Sequence, residues 1–297
     1  MRVGITGASG LIGSALVAAL RERGDTAVPF VRRDAAAREI AWNPAERRLD
    51  PADLAGLDAV VNLAGAGIGD HRWTDEYRRE LIESRTAGTA LLAETLASLD
   101  DGPRTLVNAS AIGYYGDRGD EVLTEASAPG DGFLAEICTA WEAAAEPAAA
   151  GGRRVAKLRT GIVLSADGGA LPKLLPLFKL GVGGRFGDGR QWMSWISIDD
   201  EIAAILHVLD HPLAGPVNLV APNPVTNREL ASTIGTVLRR PSRVPVPAFG
   251  PRLLLGGDRA DALLFDGQRV LPEVLRADGF EFRHATLDVA LRAVLGR

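Results

Sequence analysis

The sequence predicts an α/β fold: a doubly wound parallel sheet with helices on both faces and a smaller C-terminal substrate lobe. Strand-like runs rich in β-branched residues alternate with segments of helical periodicity, which is typical of a parallel sheet covered on both sides. Residues 155–165 are rich in apolar side chains and are predicted to form one strand that is buried on both faces. The length of 297 residues suits one such domain carrying a lobe.

The chain opens with a strand, a glycine turn and the start of a helix. The turn has the spacing Thr-Gly-x-x-Gly-x-x-Gly, with glycines at 7, 10 and 13. In such a turn one glycine adopts backbone angles closed to other residues, one lets main chain approach a diphosphate, and one lets helix and strand pack closely. An ordinary βα turn is the alternative. We expect a dinucleotide's diphosphate to contact Gly7, Ser9, Gly10, Leu11, Ile12 and Gly13.

A second predicted strand, residues 26–31, ends in Arg32 and Arg33. At this place, about twenty residues beyond the glycine turn, NAD-binding proteins carry an acid that holds the ribose 2′-hydroxyl. A guanidinium suits the 2′-phosphate of NADP instead, because it forms paired hydrogen bonds with phosphate oxygens. Arg32 therefore predicts NADP(H) as the cofactor, with NAD(H) less favoured.

Composition excludes several classes of protein. A net charge of −5 argues against nucleic acid or an anionic membrane as the main partner. Cys138 is the only cysteine, so neither an intrachain disulfide nor a thiolate metal cluster can form, and a reducing cytoplasm is the expected compartment. His207 and His211 have helical spacing without an evident third ligand in the sequence, and we predict no metal site.

The order of elements suggests where domains begin and end. We expect a dinucleotide-binding domain over residues 1–221 with a substrate-side insertion at about 166–198, and a small helical domain over 245–297. Residues 111–128 are predicted to be a loop. A helix over 132–146 should end at Pro147. Asn227 should cap a second helix that runs to Arg239.

Several motifs together resemble the extended, epimerase-like form of the short-chain dehydrogenase/reductase superfamily. They are the glycine turn, the Asn62-Leu-Ala-Gly65 run, the segments 107–116 and 187–195, and the tail 263–272. They look like one subfamily of uncharacterised NAD-dependent epimerase proteins with a small C-terminal helical domain, which implies a Rossmann-like fold. The resemblance also implies further cofactor contacts from Leu63, Ala64, Gly65, Glu80, Arg85 and Val163; for Arg85 a surface ion pair is the alternative.

The superfamily's catalytic Tyr-x-x-x-Lys pair is missing. The lysines are Lys157, Lys173 and Lys179, and none has a tyrosine four residues before it. The helix that should carry the pair offers Phe133 with Ile137, or Leu134 with Cys138, and neither pair can relay a proton. The remaining catalytic candidates are Ser110, Tyr114 and Tyr115; the alternatives are a strand-end hydroxyl bonded to backbone and two packing tyrosines.

Aromatic and polar side chains cluster where relatives line the substrate pocket. Aromatic walls with an arginine and a glutamine suit a partly apolar, anionic small molecule, although tryptophans of the lobe's core would leave the same pattern. The candidate substrate contacts are Trp73, Arg190, Gln191 and Trp195. The sequence thus predicts an NADP(H)-binding, epimerase-family oxidoreductase that acts on a small molecule of unknown identity, and the superfamily resemblance implies a homodimer. The alternatives are an inactive NADP(H)-sensing or scaffold protein and a nucleotide-sugar epimerase or dehydratase.

Overall fold

A computed structural model describes residues 1–242 and 244–297. The chain forms two compact units that interleave along the sequence, so that neither is one continuous segment. The first unit comprises residues 1–111, 136–159 and 205–217, and the second comprises residues 112–135, 160–204 and 218–297. In the described part of the chain, no helix is both long and apolar enough to cross a membrane.

The strands are short, as the alternation in the sequence predicts. In chain order they are β1 (Arg2–Thr6), β2 (Thr26–Val31), β3 (Ile40–Asn43), β4 (Arg48–Leu49), β5 (Ala59–Asn62), β6 (Thr105–Ala111), β7 (Val122–Leu123), β8 (Arg154–Thr160), β9 (Ile162–Leu164), β10 (Trp192–Met193), β11 (Trp195–Ser197), β12 (Gly215–Leu219), β13 (Val225–Thr226) and β14 (Arg269–Val270).

The α-helices alternate with these strands. They are α1 (Leu11–Glu22), α2 (Asp75–Ser98), α3 (Phe133–Ala143), α4 (Glu146–Ala150), α5 (Leu171–Lys179), α6 (Ile198–Asp210), α7 (Asn227–Leu238), α8 (Phe249–Leu255), α9 (Gly257–Ala260), α10 (Glu273–Ala277) and α11 (Leu287–Leu295). Two 3-10 turns, Pro51–Leu54 and Ile112–Tyr115, and a π-helical turn, Asp261–Phe265, complete the described elements.

The large sheet has the strand order β12-β8-β6-β5-β1-β2-β3-β4, which confirms the predicted fold class. The pairs from β6 to β3 run parallel, and β4 adds an antiparallel edge. From β1 the chain adds β2, β3 and β4 on one side of the sheet, and it then returns to add β5 and β6 on the other side. The switch point therefore lies between β1 and β5. Doubly wound sheets bind ligands at the carboxyl ends of the strands at such a point.

Each unit has its own apolar core. In the first unit, side chains of β2, β3, β5 and β6 pack with α2 and α4 around Trp42, Leu92 and Leu96. In the second unit, α5, α7 and α11 pack on Trp195, and a smaller cluster surrounds Tyr115 and Leu123. The short pairs β9 with β11, β10 with β13 and β7 with β14 belong to the second unit.

Two sequence predictions about elements are wrong for backbone reasons. The single strand expected over 155–165 is two strands, because the chain turns at Gly161. A Cβ on Gly161 would lie 2.7 Å from the carbonyl oxygen of Ser194, so only glycine allows this approach. Pro147 does not end the preceding helix. That helix stops at Ala143, and Pro147 lies in the first turn of α4, where its missing N–H costs nothing.

Two further predictions are corrected. The cap of α7 is Thr226 rather than Asn227: the Thr226 hydroxyl accepts from the Glu229 N–H, and Glu229 accepts in return, as a capping box. Residues 111–128 are not all loop, since they contain a 3-10 turn and β7, which pairs with β14.

Candidate functional site

The glycine turn between β1 and α1 forms a cradle that fits a diphosphate. Gly7 has φ +65°, and the Gly10 N–H donates to the Gly7 carbonyl at 3.0 Å. A Cβ on Gly13 would lie 2.1 Å from that carbonyl oxygen, so the turn can close only with glycine there. Gly10 is the N-cap of α1 with no side-chain cap, and the first turn carries no acid. The helix therefore presents backbone N–H groups and a positive dipole end to an anion.

A buried hydrogen-bond network fixes the loop after β5 beside this turn. The Thr6 hydroxyl donates to Asn62 Oδ1 at 2.6 Å and accepts from the backbone N–H groups of Leu63 and Ala64. The Asn62 amide in turn donates to Thr89 and Asn108. The bonds among Thr6, Asn62, Thr89 and Asn108 are short and buried, so the carboxyl ends of β1, β5 and β6 are held together. Leu63 and Ala64 thus lie where the resemblance implies cofactor contacts.

Arg32 and Arg33 at the end of β2 have different partners. Arg33 donates two hydrogen bonds to the carboxylate of Glu39, at 2.8 and 2.7 Å. Arg32 is exposed and has no hydrogen bond or ion pair with another described residue. Arg33 would have to give up its ion pair with Glu39 before it could bind another anion. The guanidinium of Arg32 can bind a phosphate without first breaking a bond.

Arg85 does not form the surface ion pair that was the alternative to a cofactor contact. Its guanidinium is largely buried and donates to the carbonyl oxygens of Leu81 and Ala66, both at 2.9 Å, and its Cζ lies 5.1 Å from the ring centre of Trp141. Loss of solvent lowers the pKa of Arg85. A Cβ on Gly65 would lie 3.2 Å from the Arg85 side chain, so Arg85 supports the loop after β5. Glu80 is exposed on α2.

Ser110, the predicted catalytic serine, donates its hydroxyl hydrogen to Glu142 Oε1 at 2.8 Å. The same carboxylate accepts from Arg159, with Nε 2.8 Å from Oε1 and Nη2 2.9 Å from Oε2. All three side chains are buried. Because a hydroxyl has only one proton to donate, this arrangement leaves Ser110 no hydrogen for a substrate oxygen.

Cys138, on α3, lies beside Ser110 of β6. Burial first, then the Glu142 charge, raises the pKa of the Cys138 thiol to about 11, and Ser110 is within hydrogen-bond reach of the sulfur. Cys138, from the register that pairs it with Leu134, is thus near the serine. An apolar side chain followed by a protonated thiol cannot replace the tyrosine and lysine of a proton relay.

The tyrosines lie in the second unit, on the 3-10 turn after β6. Tyr115 is completely buried and donates to Asn218 Oδ1 at 2.7 Å. The rings of Tyr114 and Tyr115 pack edge to face with centres 5.3 Å apart. Tyr114 is only half-buried. The contacts thus give Tyr115 a structural role, and Tyr114 is the better acid/base candidate of the two.

The predicted substrate contacts differ in exposure. Trp195 is buried in the second core and donates to the Asn223 carbonyl, as expected for a core tryptophan. Gln191 donates to the Leu264 carbonyl at 2.6 Å. The Arg190 side chain is 84% exposed and lies 3.8 Å from Asp188. Trp73, in the first unit, is half-buried and donates to Ile68. Val163, in β9, is half-buried and pairs with Ile196 of β11.

Sequence reasoning missed Glu201 in the first turn of α6. Glu201 is buried, and its Oε1 accepts from the Thr160 hydroxyl at 3.0 Å. Its Oε2 is also buried and has no hydrogen-bond partner in the part of the chain that the structure describes. Burial raises the pKa of Glu201 to about 8, so the group is mostly protonated at neutral pH. Acids are favoured in the first turn of a helix, and α6 has three of them there, so the local pattern did not distinguish Glu201 as buried.

Comparison with known proteins finds similarity over nearly all of this chain. The family model described as NAD dependent epimerase/dehydratase family matches residues 3–220, and a domain of unknown function, DUF1731, matches residues 246–294. An epimerase family protein of Mycobacterium bovis is 46% identical over 291 residues, covering 97% of this chain and 96% of the relative.

Two solved structures extend the comparison. The human epimerase family protein SDR39U1, crystallised with NADPH, has a TM-score of 0.90 and 33% identity, covering all of both chains. A nucleoside-diphosphate sugar epimerase from Corynebacterium glutamicum has a TM-score of 0.81 and 38% identity over 100% of this chain, which spans 58% of that protein. With the strand order, the glycine turn and these matches, the chain belongs to the NAD dependent epimerase/dehydratase family.

Proposed function

We propose that the protein is an NADP(H)-binding oxidoreductase of the epimerase family that acts on a small molecule. The observation that carries this proposal is the glycine turn at the switch point of the sheet, followed by Arg32 at the end of β2. The human neighbour was solved with NADPH, which supports the same cofactor here. When bound, NADP(H) donates or accepts a hydride at its nicotinamide ring.

The chain's own residues would bind and orient that cofactor. The backbone of Gly7, Gly10 and Gly13 with the first turn of α1 would hold the diphosphate, and Leu63 to Gly65 would lie against the adenosine. Arg32, which forms no ion pair with a described residue, would bind the 2′-phosphate and favour NADP(H) over NAD(H).

Proton transfer would not follow the usual superfamily route. Ser110 donates to Glu142, Tyr115 donates to Asn218, and Cys138 keeps its proton at neutral pH. We therefore propose the phenol of half-buried Tyr114 as the group that exchanges a proton with a substrate oxygen. Arg190 and Trp73 are the proposed substrate contacts that keep exposed surface.

Two alternatives rest on specific observations. The buried Ser110, Glu142 and Arg159 network and the Leu134 with Cys138 register favour a protein that senses or responds to NADP(H) without turnover. The similarity to the nucleoside-diphosphate sugar epimerase of Corynebacterium glutamicum favours a nucleotide-sugar epimerase or dehydratase. The missing proton relay weighs against the second alternative, because sugar epimerisation through a keto intermediate needs one.

The partners and compartment follow from the same proposal. We infer a small-molecule substrate rather than nucleic acid or membrane, and a reducing cytoplasm, in keeping with the net charge of −5 and the single buried cysteine. A homodimer is proposed from the superfamily resemblance alone.

The decisive experiment is calorimetric titration of the purified protein with NADPH and NADH. NADPH should bind at least tenfold more tightly. The NADPH-loaded protein is then offered aldehydes, ketones and sugar nucleotides, and NADPH oxidation is followed by absorbance. Turnover that is lost in Tyr114→Phe and kept in Tyr115→Phe supports the oxidoreductase. Tight binding without turnover favours the sensor, and failure of both cofactors to bind would refute the whole proposal.

A further inference from the structure

Arg185, in the second unit beyond α5, is a half-buried cation without a counter-charge. Its Nε is buried and has no hydrogen-bond partner among the described residues, and its guanidinium takes part in no ion pair there. A guanidinium cannot lose its proton in a protein, so it cannot neutralise itself as a buried carboxyl can. An anion that accepts from the buried Nε would satisfy this donor and offset the positive charge.

The surroundings of Arg185 add to its positive charge. A Cβ on Gly189 would lie 2.8 Å from Arg185 Cδ and 3.1 Å from Arg228 Cβ, so the two arginines flank this glycine closely. Arg228 donates to the backbone carbonyl of Asp188, and the Asp188 carboxylate accepts from the Arg190 backbone N–H at 3.0 Å. Arg185, Arg190 and Arg228 thus bring three guanidinium groups to this turn, against the one carboxylate of Asp188 within it.

The backbone at Arg185 is rigidly held on both sides. The Arg185 carbonyl accepts from the Val246 N–H at 2.8 Å, and the Val246 carbonyl accepts from Gly187 at 3.0 Å. The next residue, Phe186, donates its N–H to Asn227 Oδ1 at 2.7 Å. A guanidinium on such a frame loses little backbone freedom when it binds a ligand, which is the arrangement expected of a preorganised contact.

We propose that Arg185 binds an oxyanion of the substrate, a phosphate or a carboxylate, on the second unit. Both groups present two oxygens that match the fork of a guanidinium. The inference extends the proposed function by giving the substrate a chemical class and rests on it only in treating the bound anion as part of the substrate. No cofactor contact proposed above involves Arg185, so cofactor binding and anion binding can fail separately.

The test uses the full chain saturated with NADP⁺, which blocks the cofactor's own phosphate sites. Pyrophosphate and succinate are titrated by calorimetry, to distinguish a phosphate from a carboxylate site. At least one should bind the wild type, Arg185→Met should weaken it at least tenfold, and Arg185→Lys should give an intermediate affinity. Arg276→Gln, which removes a guanidinium from a surface pair with Glu273, should leave the affinity unchanged.

Thermal unfolding separates this role from a structural one. Because methionine removes an unpaired charge and keeps the length of the side chain, Arg185→Met should unfold at the same or a higher temperature than the wild type. Unfolding at a lower temperature, or failure to fold, would show that Arg185 stabilises the protein itself and would overturn the proposal. Failure of both anions to bind the wild type, or equal affinity in Arg185→Met, would overturn it as well.

Discussion

Ser110 donates its hydroxyl to the Glu142 carboxylate, which also holds the guanidinium of Arg159. In the resembling superfamily this serine serves the substrate oxygen, whereas here it completes a buried ion pair. The rest of the expected relay is absent too, because none of the three lysines has a tyrosine four residues before it. If chemistry occurs, the chain must supply its proton from another group.

The first prediction concerns this buried network. Removing Glu142 leaves the Arg159 charge buried without its partner, so Glu142→Ala should lower the free energy of unfolding by about 3–5 kcal/mol. Ser110→Ala removes one hydrogen bond and should cost about 1 kcal/mol. Urea unfolding measures both. The control Glu146→Ala removes a half-exposed pair with Lys157 and should cost under about 1 kcal/mol. Equal effects of Glu142→Ala and Glu146→Ala would contradict the prediction.

The second prediction concerns the glycine turn. A Cβ on Gly10 meets only the Gly7 carbonyl, at 3.3 Å, so Gly10→Ala should still fold. The added methyl group would occupy the face that a diphosphate must approach. NADPH affinity should therefore fall at least tenfold, or about 1.4 kcal/mol, in calorimetry. Gly250→Ala, where a Cβ meets nothing within 4 Å, is the matched control. Undiminished NADPH binding by Gly10→Ala would rule out this turn as the diphosphate site.

The third prediction distinguishes two adjacent arginines. Arg32→Gln should weaken NADPH binding about 10- to 100-fold and leave NADH binding unchanged, because one charged hydrogen-bonding group contributes about 1.5–3 kcal/mol. Arg33→Gln should have a smaller effect, since Arg33 is already bound to Glu39. Parallel titrations with both cofactors measure the preference. A larger loss of NADPH affinity in Arg33→Gln than in Arg32→Gln would show that Arg33, and not Arg32, binds the 2′-phosphate.

The sequence was sufficient for the parts of the fold that depend on local patterns. The glycine spacing, the apolar strands and the Asn62 run predict the switch point, because such turns need glycine for steric reasons that do not depend on distant residues. The same patterns predict where β1 and β5 end. The hydrogen bond that joins these two strand ends is formed by Thr6, which begins the glycine turn motif, and Asn62, which begins the Asn62-Leu-Ala-Gly65 run.

Side-chain roles that depend on tertiary partners could not be predicted. Ser110 sits at a strand end in any interpretation, and only the fold brings Glu142 and Arg159 to it across 32 and 49 residues of chain. Trp195 and Gln191 are residue types that are common in ligand pockets, but here their side chains donate hydrogen bonds to backbone carbonyls of the protein itself. Glu201 and Arg185 belong to no sequence motif, and only the fold shows that each has a buried polar atom without a hydrogen-bond partner among the described residues.

The fourth prediction concerns Cys138. Because burial raises the pKa of its thiol to about 11, the native protein should react with iodoacetamide far more slowly than a free cysteine at pH 8. The urea-unfolded chain should react at the ordinary rate. Mass spectrometry of the alkylated fraction over time measures this, with free cysteine as the reference. Rapid labelling of the native protein would mean that Cys138 is accessible and ionised.

The fifth prediction follows from the buried carboxyl of Glu201. Its folded pKa of about 8 lies above the ordinary value of 4.5, because burial disfavours the charged form. Between these values the native state holds a proton that the unfolded chain has released. The free energy of unfolding should therefore fall as pH rises, by up to about 1.4 kcal/mol per pH unit from this group. The stabilisation is complete below about pH 4.5 and lost as pH rises through about 8.

Glu201→Gln tests this directly, because glutamine stays neutral and can keep the hydrogen bond from the Thr160 hydroxyl. Urea unfolding at pH 5, 6, 7 and 8 should show a flatter profile for Glu201→Gln than for the wild type, with the largest difference in favour of the variant at pH 8. Glu121→Gln, at a partly exposed residue paired with Arg118, should keep the wild-type slope. Parallel profiles for Glu201→Gln and the wild type would mean that this carboxyl is ionised in the folded protein, paired with a group that stabilises its charge.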